Sequence, residues 1–268
     1  MESSLDELNT SEWPWAQHSF VLGNLAIGNI RENLKRQLTL DGRIHAETLL
    51  TSIGALAGFA AQHAALVKAE AATRDFGSVG TDGIVLLKVR SGQEYLIGPW
   101  INWHLLPERK TNQTLFGLVA VASVQSGLQE QDLPDIREIA THFTRAAGTP
   151  EFDVIRVPEG TKPHLSPVTA AKLLWPLVTN ILRLPAPTNM AENEDPLNEK
   201  HWPLILAAVA GQFVTQTKDV IRPKLSSNLI MEAAWIASKT HPDAINPNTW
   251  RIVADAGRLK VTRTSAVT

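Results

Sequence analysis

The chain reads as a mostly helical α+β protein with a small antiparallel sheet built around one hairpin. Three observations lead there. Several stretches run for four or more turns without proline and repeat apolar residues at helical spacing. One segment, Gly80 to Trp100, alternates apolar and polar residues on either side of a turn signal. Hydrophobic residues make up 44% of the 268, and charged residues only 19%, below the roughly 25% of ordinary soluble domains. Such a chain can bury a large core, and extensive disorder is excluded.

The first helix is expected over His18 to Leu38, where Ile27, Ile30, Leu34 and Leu38 share a face. Thr39 to Gly42 follows, with Asp41-Gly42 as a turn signal. A connection this short predicts an antiparallel helical hairpin. The second helix is the long run DGRIHAETLLTSIGALAGFAAQHAALV, Asp41 to Val67, with Asp41 as its N-cap. In the β-hairpin, Val85, Leu87 and Val89 are expected on one buried face, with Lys88 directed outward. Phe152 to Pro158 and Arg258 to Arg263 are candidate further strands. Gln113 to Gln125 is ambiguous, with its length favouring helix. Leu133 to Gly148 and Ser166 to Leu184 are helices, and Pro176 should kink or split the second.

Pro185 to Glu199 is rich in Pro, Asn and acid and marks the strongest boundary. The organisation is therefore 1–184, an α+β region with an N-terminal helical hairpin and small sheet, and 185–268, a linker plus a C-terminal helical region able to join the same domain. Trp202 to Val214 is apolar nearly all round and should be a buried central helix. His241 to Trp250 is read as a turn-rich lead into a last short helix. Trp-Pro-Leu occurs at Trp175 and at Trp202 without establishing a repeat.

Charge and composition narrow the function classes. The net charge is −2, and the most basic short patch, Arg31, Lys35 and Arg36, contains Glu32. No nucleic-acid partner is expected. Uncharged runs such as Thr48 to Val67 approach span length, but they carry polar residues, so no membrane association is expected. Cysteine is absent, which removes disulfides and thiolate chemistry. The acidic N-terminal stretch has no signal-peptide core, and a cytoplasmic location is expected.

His45-Ala46-Glu47 has the His-x-Glu element of the zinc deaminases, but that chemistry also needs a Cys pair that this chain lacks. On a helix His45 and Glu47 would sit about 200° apart, and His63 would regain the angle of His45 only about 27 Å further along. No metal is expected, and no cofactor is implied. A better signal on this helix is the narrow stripe Glu47, Thr51, Gly54, Gly58, Gln62, Ala65, opposite a broad aliphatic side. Interior glycines weaken a helix, so two in line call for close approach by another helix. Gly54, Gly58 and Gln62 are accordingly the interface candidates, in a homodimer or within the chain. A second candidate site is Trp100, Trp103 and His104 with Arg109, where aromatic groups beside mixed charge suit either a small-molecule pocket or a hydrophobic plug. Asp41 and His45 are the remaining binding candidates. No Walker-A loop, dinucleotide fingerprint, nucleophile elbow or His-Glu-x-x-His helix occurs. The expected function is a homo-oligomeric small-molecule-binding or scaffold protein. The alternative is a small-molecule enzyme, hydrolase or transferase, using a pocket near Trp100–His104 or His45.

Overall fold

The structure is a computed structural model that describes residues 20–107, 113–184 and 197–264. Its helices are α1 Phe20–Gln37, α2 Ala46–Phe76, α3 Pro99–Leu105, α4 Leu115–Gln125, α5 Ile136–Ala146, α6 Pro167–Leu182, α7 Trp202–Thr217 and α8 Pro223–Lys239. Six short strands pair as three separate antiparallel hairpins: β1 Thr39–Leu40 with β2 Arg43–Ile44, β3 Val85–Lys88 with β4 Glu94–Ile97, and β5 Trp250–Asp255 with β6 Arg258–Arg263. The mostly helical α+β class is thus the observed one, with three two-stranded ribbons in place of one sheet.

The central element is α2, buried from Thr48 through Leu66 and packed by α8, α7, α6, α3 and β6. It ends where Gly77 turns left-handed at φ 79° and donates its N–H to Thr73 O. It is also the described helix whose length and hydropathy would suit a membrane span, but 94% of that window is buried inside the molecule. One apolar core runs from Leu22 to Val261. Residues on both sides of 185–196 share it, and 185–196, most of the expected linker, lie outside the described residues.

The partner of the glycine stripe is α8 of the same chain. A Cβ added at Gly54 or Gly58 would fall under 3.0 Å from the backbone of Ile230 or Ala234 respectively. Gln62 continues the contact, its Nε2 donating to Ser238 O at 2.9 Å and Thr240 O at 2.6 Å. The pairs Gly54–Ile230, Gly58–Ala234 and Gln62–Ser238 keep a constant offset, so α2 and α8 run parallel. The stripe is therefore not a free surface for a second copy, and the expectation that Gly54, Gly58 and Gln62 form a homodimer contact is corrected. The close approach itself is present, and small residues of α8 (Ala234 and Ser238 at a step of four) complete it from the other side.

Six other expectations change. Asp41 is not an N-cap: Asp41 and Gly42, at φ 51° and 74°, form the tight turn of β1–β2, and α2 starts only after His45. That hairpin redirects the chain, so α1 packs mainly on α7 and α6 instead of lying along α2. In β3–β4, Leu87 is 38% exposed while Leu96 is fully buried. β4 is the inner strand, bridged through Tyr95 to Thr240, and β3 is the outer edge, so strand position overrides face alternation. Lys88 does point outward, 3.4 Å from Glu94. Finally, the segment after His241 leads into β5, not into a helix. It pairs with β6 through Ala256-Gly257, where Ala256 adopts φ 45°. Phe152 to Pro158 is not a strand, and α6 continues unbroken through Pro176.

Candidate functional site

Because α2 and α8 are parallel, both begin at the same end of the molecule. A cleft of about 490 Å³ opens there. One wall is Glu47, in the first turn of α2. The facing wall is the α7–α8 connection and the start of α8, with Val220, Arg222, Lys224, Leu225 and Asn228. Pro158 and Thr161 close a third side. A second hollow of about 200 Å³ shares Val220 and reaches Ile44 and Lys35.

The third side is held in place at two points. Arg156 donates its backbone N–H and its guanidinium to Glu232 of α8, at 2.8 and 3.0 Å. Glu232 is 6% exposed, and this charge-assisted fork fixes the segment as an irregular strap. At the other end, the His164 N–H donates to Thr48 Oγ1 at 2.9 Å, and the His164 ring stacks on His45 at 3.9 Å between centroids.

His45 lies just outside α2, at φ −78° and ψ 108°. That extended conformation swings its ring back over the first turn, so the helical 200° separation from Glu47 does not apply. His45 Nδ1 lies 2.8 Å from Thr48 Oγ1, and Nε2 lies 3.3 Å from Glu47 Oε2. The Thr48 hydroxyl already accepts from His164. Donating its own proton to Nδ1 leaves the ring proton on Nε2, directed at Glu47. The result is an oriented carboxylate at the rim of the cleft, 16% exposed. Glu47 was legible in the sequence as part of His45-Ala46-Glu47 and of the stripe, whereas Arg222 and Asn228 carried no local signal at all.

The tryptophan candidates are organised differently. Trp100 and Trp103 lie on α3 with ring centroids 6.4 Å apart, and the Lys68 ammonium sits 4.3 and 4.2 Å from the two centroids. A cation of the same chain thus occupies the faces that a ligand cation would use. His104 is driven down to about 4 by burial and by the Lys68 charge, so it is neutral at pH 7. Arg109 lies outside the described residues. The structure does not bring this group together with Asp41 and His45.

Two buried polar features were missed by sequence reasoning. The first surrounds His63, which is 2% exposed. Its ring stacks on Trp202 at 5.2 Å, with Trp175 and Trp250 at 5.7 and 5.5 Å. The tryptophans of the two Trp-Pro-Leu tripeptides therefore meet around one histidine. His63 Nε2 lies 3.4 Å from Glu199 Oε1, and among the described residues neither ring nitrogen makes a hydrogen bond. Burial pushes the imidazole down from its ordinary value, against the pull of Glu199. Burial also works against the Glu199 charge, but His63 and Arg263 outweigh it and hold the carboxyl below the usual range. Arg263 binds it at 3.2 and 2.7 Å, and Arg183 at 3.4 Å. The second feature is Lys239, 2% exposed, whose Nζ is 2.5 Å from Asn102 Oδ1. Burial brings this amine down to about 7. Histidine and glutamate 136 residues apart, or a lysine at a helix end, carry no spacing signal.

Among the described residues no three His, Asp or Glu side chains converge on a point that could hold a metal ion. The cleft is therefore the feature with room, an apolar wall and oriented charge together. No family model, no curated protein and no solved structure matches the chain.

Proposed function

We propose that the protein binds a small molecule in the cleft between the start of α2 and the start of α8. The observation that carries this reading is the combination of a cavity of about 490 Å³ with Glu47 and Arg222 on its walls and an apolar lining of half-buried Leu225 and exposed Val220. Ligand sites of roughly 300–1,000 Å³ commonly pair such apolar lining with a few placed polar groups. The strap anchored at Arg156 and His164 supports the reading, because it preforms the third wall.

The test is a fragment screen by amide-resonance mapping on the full chain. Binders should shift Glu47, Val220, Leu225 and Asn228 together and raise the melting temperature in proportion to occupancy. Leu225→Trp, which fills the cleft, should abolish those shifts. A screen in which no fragment perturbs this set ends the reading.

An enzyme is the second reading. Its specific support is Glu47, held by His45 and presented at the rim, the arrangement a proton acceptor needs. Turnover of a bound ligand that is lost in Glu47→Gln with binding retained would favour it. The scaffold reading has lost its main support, since the glycine stripe is spent inside the chain.

A further inference from the structure

We propose that the ligand of this cleft is dipolar: an ammonium received by Glu47, a carboxylate received by Arg222, and an apolar body lying on Val220 and Leu225. The proposal rests on the cleft being a binding site and names the chemistry that site selects.

The argument is one of charge satisfaction. Glu47 and Arg222 line the same cleft, yet they form no ion pair with each other. Glu47 is engaged by His45 through Oε2 alone, which leaves Oε1 turned to other partners. The Arg222 guanidinium makes no ion pair or hydrogen bond to any described residue, and its backbone carbonyl is spent on the first turn of α8. Lys224 is different, because Asp132 holds it at 2.9 Å. The Asn228 carboxamide, also on the wall, has no partner among the described residues.

Each simpler ligand leaves one of these groups badly placed. A neutral apolar molecule would strip water from both charges and replace it with nothing, which is costly. A simple anion would suit Arg222 but bring like charge to Glu47. A simple cation would suit Glu47 and meet Arg222 and Lys224. A dipolar molecule satisfies both ends, and each attraction strengthens as the apolar body excludes water. Asn228 offers both a donor and an acceptor, which matches an amide between the two charged ends. A cavity of about 490 Å³ has room for such a molecule at the size of an apolar dipeptide.

The probes are Leu-Leu dipeptide, N-acetyl-Leu-Leu, which lacks the ammonium, and Leu-Leu amide, which lacks the carboxylate. Each is titrated into the full chain at pH 7 by calorimetry and by amide-resonance mapping. Leu-Leu should bind, and each singly charged derivative should bind about ten-fold more weakly or worse, as for loss of one charge-assisted contact. Glu47→Gln should erase the penalty for N-acetylation while keeping that for amidation. Arg222→Gln should do the reverse. Because the variation lies in the ligand, the wild-type comparison does not depend on any variant folding. Equal affinity for all three probes overturns the proposal, and so does a penalty that persists unchanged in both variants. If neutral or singly charged probes shift the cleft resonances and Leu-Leu does not, the dipolar assignment falls and the cleft reading stands. If no probe shifts them, the dipolar assignment falls, and the fragment screen decides the cleft reading separately.

Discussion

Two histidine–glutamate pairs, one at the start of α2 and one against its middle, have nearly the same separation and different surroundings. His45 and Glu47 are 3.3 Å apart at the rim of the cleft, with side-chain exposures of 31% and 16%. His63 and Glu199 are 3.4 Å apart, with the imidazole buried at 2% and the carboxylate partly exposed at 21%. At the rim, both ring nitrogens of His45 have partners and the carboxylate keeps an oxygen for a solute. In the second pair, two guanidiniums claim the carboxylate, while the imidazole is walled by three indoles and neither ring nitrogen makes a hydrogen bond among the described residues. The distance between acid and base therefore says little about role. What separates a pair that can meet a ligand from one that locks the fold is which other groups have saturated the carboxylate and how deeply the imidazole is buried.

The largest effect should come from breaking the wall that keeps the inner pair inside. Gly58→Leu forces α2 and α8 apart along their backbones. It should cost about 3 kcal/mol or more, at the upper end of overpacking effects, as read from the denaturant midpoint. A wild-type midpoint would mean that the two helices do not approach as described.

The next test concerns Lys239, which closes the far end of the α2–α8 contact. Its amine titrates near 7 in the folded chain, against 10.5 for an ordinary lysine. Between those values the unfolded chain holds the extra proton, so stability rises with pH across that window. Facing groups are few, with the Asn102 amide as its hydrogen-bond partner and the Trp235 ring 4.9 Å away. Lys239→Met should flatten the rise and stabilise the fold at pH 7 by an amount on the order of a few kcal/mol. Unchanged slopes in urea melts from pH 7 to 10 would show that the amine stays charged in place.

Glu199→Gln sharpens the comparison from the acid side. It removes the shared partner of Arg263, Arg183 and His63 and should cost about 2 kcal/mol, between exposed and fully buried pairs. Its carboxyl is held low in the folded chain, so its contribution is present above the ordinary value of 4.5 and is lost as pH falls through the folded one. His63 adds loss beginning higher. Its folded value lies below 6.5, so the unfolded chain protonates first and stability declines as pH drops below 6.5. His63→Phe should remove that upper part of the acid transition in thermal melts and leave the lower part.

The smallest stability effect belongs to the rim. Glu47→Gln should change stability by less than about 1 kcal/mol, as for an exposed ion pair, while altering binding in the cleft. A loss as large as that of Glu199→Gln would erase the distinction between the two pairs.

Much of the fold was legible in the sequence. The helical class, the β3–β4 hairpin, the buried character of α2 and α7, and the need for close approach at Gly54 and Gly58 all follow from local periodicity and from the cost of glycine in a helix. The identity of the approaching helix did not follow. A small-residue stripe fits a second copy as well as another helix of the same chain, and only the offset of 176 residues between Gln62 and Ser238 settles it. The β5–β6 hairpin escaped notice because Ala256 holds a left-handed turn position that usually signals its presence through Asn, Asp or Gly.

The candidate site was less legible still. Sequence marked His45 and Glu47 but placed them on opposite faces, an error that arose from extending α2 through His45. It offered Asp41 and the Trp100–His104 group, which the fold uses for a turn and for packing around Lys68. What the sequence determined by itself was each helix, its buried side and its turns, because backbone sterics and the spacing of apolar residues act within a few positions. Tertiary structure alone decided that α2 and α8 run parallel, that their first turns and the 154–165 strap line a cleft, and that one glutamate of the two His–Glu pairs borders that cleft while the other is claimed by two guanidiniums. Those outcomes depend on which distant surfaces exclude water from each other, and no local pattern encodes that choice.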